Sequence, residues 1–235
     1  MYRRDYLVRM IEQMTEAMGQ LMGLKRERKR EEAGQTIDEL FSRLFRLNSK
    51  LVNSLSEQDL IRLLSTNGVP ETEKLKIVAA LLQEEADLLE DEAKERIGEA
   101  HEPPPEIYRK RLRALGLYLY ADFYGADTQY INQHEAIAKL LVQLQSYELP
   151  SSTKLQLWNY FESSGHYARA EDTLFELLET EDDELIERGV QFYNRLLEKT
   201  DAELAAGHLP REEVEAGLEQ LRTMQRQEAK AAELD

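Results

Sequence analysis

The chain has 235 residues and no cysteine, with 30 Lys and Arg against 46 Asp and Glu, a formal charge of −16. So acidic a body excludes a nucleic-acid grip, which needs concentrated cations against phosphate. The missing thiols exclude disulfides, thiol nucleophiles and cysteine-held metals. No apolar run reaches the roughly 18 residues that cross a bilayer, and no signal-peptide core follows the first residues, so the expectation is a soluble, cytoplasmic protein.

The prolines argue the fold class. Pro70, Pro103, Pro104, Pro105, Pro150 and Pro210 all fall between periodic segments. A helix-interior proline loses a hydrogen bond and clashes with the turn before it, so this placement leaves long helices intact. Alternating apolar and polar runs rich in β-branched residues are absent. The expectation is an all-α fold of antiparallel helix pairs.

Residues 1–33 read as one amphipathic helix from Tyr2 to about Glu32. Leu7, Met10, Met14, Ala17, Leu21 and Leu24 follow 3-4 spacing, with Ile11, Met18 and Met22 widening the stripe. Lys25, Arg26, Arg28, Lys29 and Arg30 make its end basic, against the sign of everything after it. Three uses compete for the face carrying Met10, Met14, Met18 and Leu21. It packs on the helices that follow, it pairs with a second copy as a short coiled coil, or it lies on a membrane surface.

Residues 34–99 read as a small helical subdomain. Gly34 is the expected break, and Thr36 the cap of a helix bearing Ile37, Leu40, Phe41, Leu44, Phe45 and Leu47. Ser56 with Asp59 resembles a capping box for a helix over 57–66, which Asn67-Gly68 would stop. A long helix follows Pro70. Its Glu84, Glu85, Asp87, Glu90, Asp91 and Glu92 are expected to be a solvated face, because nothing there resembles a calcium loop.

The proline-rich stretch 100–105 is the expected boundary, and residues 106–235 read as a helical-repeat domain. Of the 18 aromatics, 14 lie between Tyr108 and Tyr193. Leu119-Tyr120-x-x-Phe123 recurs as Leu157-Trp158-x-x-Phe161 and loosely as Phe192-Tyr193-x-x-Leu196, at offsets of 38 and 35. Such a period marks stacked helix pairs, since one pair cannot bury its apolar face alone.

Leu157, Phe161, Gly165, Tyr167 and Ala170 stand at the spacing of the tetratricopeptide family, which this stretch resembles. The match is good for that unit and loose on either side. Trp158 departs from the family's small residue and must alter the packing angle or enter the neighbouring pair. The opening MYRRDYLVRMIEQM and the stretch LSEQDLIRLL also resemble an uncharacterised family of bacterial helical proteins, a likeness that covers most of the chain and implies no activity.

No P-loop, HExxH, GxGxxG or GxSxG element is present. Glu162 and His166 are four apart but Gly165 intervenes, and His166 and His208 read as turn residues. The expectation is no catalytic residue, no cofactor and no metal. The tetratricopeptide resemblance implies a concave groove, which on this chain falls at Leu117, Ala121 and Tyr124, then Leu155, Asn159 and Glu162, then Val190, Asn194 and Leu197. It implies a protein-interaction or scaffolding module that holds a protein or peptide partner, with homo-oligomerisation open. A membrane-peripheral protein using the first helix, and a small-molecule binder or enzyme with a pocket around Pro103 to Tyr108, are the alternatives.

Overall fold

The computed structural model describes residues 2–97, 104–125, 131–179 and 183–232. The described residues form twelve helices and one two-stranded hairpin, so the fold is all-α. None of the helices is long and apolar enough to cross a membrane. The chain divides into two compact units, residues 1–148 and 149–235. The expected boundary at 100–105 falls within the first unit, and its residues 100–103 lie outside those described.

The first unit opens with α1 (Tyr2–Arg26) and α2 (Arg30–Phe45). The expected single helix to Glu32 is broken earlier, at Arg28. That residue takes a left-handed φ of 60°. Its N–H donates to the Lys25 carbonyl at 3.1 Å, and the Lys29 N–H donates to the Leu24 carbonyl at 2.9 Å. This paired closure ends a helix by satisfying its last carbonyls. The break was not legible because an arginine fills the place that glycine usually takes. Gly34, expected to be the break, lies inside α2, and the Thr36 hydroxyl bonds back to the Glu32 carbonyl at 2.8 Å instead of capping.

Two short helices follow, α3 (Ser49–Ser54) and α4 (Glu57–Leu63). Asn48 and Ser56 cap them through their side chains, accepting from the N–H groups of Leu51 and Asp59. Beyond α4 the chain makes a hairpin, β1 (Ser65–Thr66) with β2 (Val69–Pro70), in antiparallel register. Asn67 and Gly68 both take positive φ, 53° and 76°, the pair that a tight hairpin turn demands. Asn67-Gly68 therefore turns a strand pair and does not directly stop a helix.

The centre of the unit is α5 (Thr72–Ile97), packed antiparallel to α6 (Pro105–Tyr124), with α7 (Gln133–Leu144) against α6. Pro105 opens α6 at its first position, where a missing N–H costs nothing. Leu75, Ile77, Val78, Leu81 and Leu82 of α5 are all fully buried, so the first half of the helix presents a broad apolar face. Such a face packs against other helices. Met10, Met14, Ala17 and Leu21 of α1 are buried in this unit, against α2 and α5.

The second unit holds α8 (Ser151–Ser163), α9 (Tyr167–Leu178), α10 (Asp183–Leu197), the short α11 (Asp201–Ala206) and α12 (Arg211–Ala232). Two antiparallel pairs result, α8 with α9 and α10 with α12. Gly165 makes the first turn with φ 76°, as the sequence pattern implies. Thr200 and Glu203 form a reciprocal capping box at the start of α11, a signal that the sequence reading passed over.

The turns of the two pairs dock on each other. The Ala168 N–H donates to the Gly207 carbonyl at 3.0 Å, which satisfies a donor in the first turn of α9. A Cβ on Gly207 would overlap the Tyr167 ring and stand 2.7 Å from the Gly165 carbonyl. We expect Gly207→Ala to lower stability by about 1–3 kcal/mol through that overpacking. Urea denaturation followed by circular dichroism measures it, and an unchanged midpoint would disprove the docking.

Candidate functional site

The residues of the expected groove fall in both units. In the first, Leu117 and Ala121 are fully buried in the core and cannot line a groove. The helix that carries them, α6, is packed against both α5 and α7. Tyr124, at the end of α6, is exposed beside Phe123, with ring centroids 4.9 Å apart.

In the second unit the pattern is different. Asn159 and Asn194 are exposed on α8 and α10, and Leu155, Val190 and Leu197 are half-buried. Glu162 accepts a two-pronged ion pair from Arg195, at 2.6 and 2.8 Å. Trp158 enters the neighbouring pair, meeting Phe192 edge-on at 5.8 Å with the Arg188 guanidinium 5.2 Å from its ring centre. The faces of α8 and α10 are thereby held side by side, with both amides turned to solvent. Beneath them Tyr193 donates to Glu171 at 2.5 Å, and burial pushes both of these groups up from their ordinary ranges.

On α1 the face carrying Met10, Met14 and Leu21 is buried and Met18 is half-buried. Pairing with a second copy, or lying on a membrane, would require α1 to leave its place in the first unit.

Of the acidic side chains of α5 expected in solvent, Asp91 and Glu92 are exposed, whereas Glu84, Glu85, Asp87 and Glu90 are half-buried and, with Glu95, hold cations from four other helices. Glu84 accepts from Lys25 of α1 at 2.8 Å, and Glu95 accepts a two-pronged pair from Arg30 of α2. Glu85 accepts from Lys110 of α6 at 2.7 Å, and Glu90 from Arg111 at 2.6 Å. Asp87 accepts from Lys139 and Gln143 of α7 at 2.7 and 3.0 Å. Burial alone pushes the Asp87 carboxyl up, and these donors outweigh it, so Asp87 is held below the usual carboxylate range. The Arg30 pair holds Glu95 down likewise.

One of these pairs sits in a cleft of about 590 Å³ in the first unit. At its inner end Lys110 Nζ donates to Glu85 Oε2 and to Asn53 Oδ1, each at 2.7 Å. Asn53 Nδ2 donates to Ser49 Oγ at 3.2 Å and to Glu85 Oε2 at 3.1 Å, and Ser49 Oγ donates to Glu85 Oε1. Ser49, Asn53, Glu85 and Lys110 thus tie α3, α5 and α6 together. Leu88 and Leu89 give the cleft an apolar wall, and the exposed Arg28, Glu31, Glu92 and Glu106 complete its lining, Glu106 3.7 Å from Lys110. No motif announces this site. Its only sequence trace is the i, i+3, i+4, i+7 face of Glu85, Leu88, Leu89 and Glu92 on α5. Among the described residues, no group of three acidic or imidazole side chains could hold a metal ion.

A family of unknown function (DUF6483) matches residues 1–226. No curated protein and no solved structure matches the chain.

Proposed function

We propose that this chain, which belongs to the family of unknown function DUF6483, is a non-enzymatic protein-interaction module acting in the cytoplasm. Its second unit, read as tetratricopeptide-like, holds an extended basic segment of a partner protein. The carrying observation is the pair of solvent-facing amides, Asn159 and Asn194, on helices locked together by the Glu162–Arg195 ion pair and the Trp158–Phe192 contact. An amide side chain both donates and accepts, which suits it to grip an extended backbone. Charge selects the partner. Residues 149–235 carry 9 Lys and Arg against 20 Asp and Glu, a net of −11, so a basic segment is favoured over an acidic one.

Selection of peptides from a displayed library on the full chain tests this. Enriched peptides should be rich in Lys and Arg. The double variant N159A/N194A should bind them about tenfold more weakly, the effect of losing two amide hydrogen bonds. Circular dichroism should show its helicity intact. Enriched peptides that bind the double variant as well as the parent would sink the reading, as would a selection without enrichment.

A further inference from the structure

We propose that the cleft of the first unit binds a small aliphatic amine that also carries an oxygen acceptor, an ω-amino acid being the simplest form. This does not rest on the interaction reading, which concerns the second unit alone.

The geometry divides the cleft into two polar ends with an apolar stretch between. Glu85 and Glu92 mark those ends on one face of α5, two helical turns and thus about 10 Å apart along the axis. Leu88 and Leu89 lie between them and suit a methylene chain.

The inner end has a donor to offer. Lys110 is buried, and its ammonium has three N–H groups. Two are spent at 2.7 Å on Glu85 and Asn53, while the nearest further carboxylate, Glu106, stands 3.7 Å away, beyond hydrogen-bond length. An oxygen of a ligand entering here would take the third.

The outer end has the opposite character. Lys110 cancels Glu85, and Arg30 cancels Glu95. With Glu106 3.7 Å from Lys110, what is left among the lining residues is Glu31 and Glu92 against Arg28, an excess of negative charge that favours an ammonium group.

A separate observation indicates that the space is kept open. Gly34 lines the cleft from the middle of α2, where glycine costs about 0.5–1 kcal/mol relative to alanine. A Cβ there would meet nothing within 4 Å, so packing does not require the glycine. What its small size secures is room in the cleft. The volume also lies within the few hundred to roughly a thousand Å³ usual for small-molecule sites.

Titration calorimetry of the full chain with ε-aminocaproate is the direct test, with caproate and n-hexylamine as probes of one end each. Saturable binding of ε-aminocaproate is expected, with each single-ended probe at least about tenfold weaker, as loss of a charge-assisted bond implies. Gly34→Leu should abolish binding while the thermal midpoint holds or rises. Glu92→Gln, an exposed change, should weaken binding about tenfold and carries the test if Gly34→Leu fails to fold. The proposal is overturned if ε-aminocaproate shows no saturable binding into the millimolar range. It is equally overturned if either single-ended probe binds as tightly, or if neither variant alters the affinity.

Discussion

Lys110→Ala should lower stability by about 3–5 kcal/mol, the usual effect of removing one partner from a buried ion pair. Lys110 is 5 % exposed, and its ammonium is the shared donor to Glu85 and Asn53. Its removal leaves the Glu85 carboxylate with only the Ser49 hydroxyl and the Asn53 amide, and an uncompensated charge in a poorly hydrated site is costly. Because Ser49 and Asn53 lie on α3, Glu85 on α5 and Lys110 on α6, the loss falls on the junction of three helices. Removing the charge at both ends should be far milder. We expect Lys110→Met with Glu85→Gln to recover at least half of the deficit, since the amide asks less of its surroundings than the carboxylate. A denaturant-based double-mutant cycle measures the coupling, and additive effects would show that the four residues do not act as one network.

Trp158 gives the second large effect, and its size depends on which substitution is made. Trp158→Ala should cost about 3–5 kcal/mol, as large-to-small changes in a core do. The indole is 2 % exposed and fills the space between α8 and α10. Trp158→Phe should stay within about 1 kcal/mol of the parent, despite its smaller ring and weaker hold on Arg188. The reason is the indole N–H, which has no hydrogen-bond partner among the described residues. A buried donor without a partner is a standing penalty of about 1–3 kcal/mol, and phenylalanine removes it. Thermal unfolding by circular dichroism compares the two. Equal destabilisation by both would mean that the N–H is engaged after all.

Both predictions concern features that the sequence revealed only in part. The helical periodicity, the proline punctuation and the Gly165 turn follow from local spacing, and spacing was enough, whereas for Trp158 it left open a changed packing angle or entry into the next pair. The opening stretch was also enough to suggest a family with no assigned activity. The break at Arg28 was hidden because the left-handed closure uses an arginine, and Gly34 misled because glycine within a helix looks like its end. Asn67-Gly68 is ambiguous in principle, since the same backbone angles serve a helix stop and a hairpin. Four of the six carboxylates of α5 were misread for a deeper reason. Whether Glu85 or Asp87 meets water or a lysine depends on residues 25 to 52 positions away in the chain, and one helix's periodicity contains no such information. Leu117 failed as a groove residue on the same ground, because the helices packed on α6 bury it. The cleft has four walls drawn from four helices, so only the tertiary fold could bring its ends together.

The pairing along α5 also changes what a partner would feel from a distance. Six carboxylates between Glu84 and Glu92 look like a strong negative pole when read as text. Glu84, Glu85, Asp87 and Glu90 each sit beside a cation, and close opposite charges cancel beyond a few ångströms. This stretch is therefore far quieter in the far field than its six carboxylates suggest, with Asp91 and Glu92 left exposed. The second unit is not, because even with every one of its nine cations paired it retains eleven carboxylates. Diffusing basic segments would be drawn to that unit, and the attraction would fade as ionic strength shortens its reach below about 10 Å. Encounter would be rapid in dilute salt and slow in concentrated salt, while the charge network around α5 would leave the approach rate untouched.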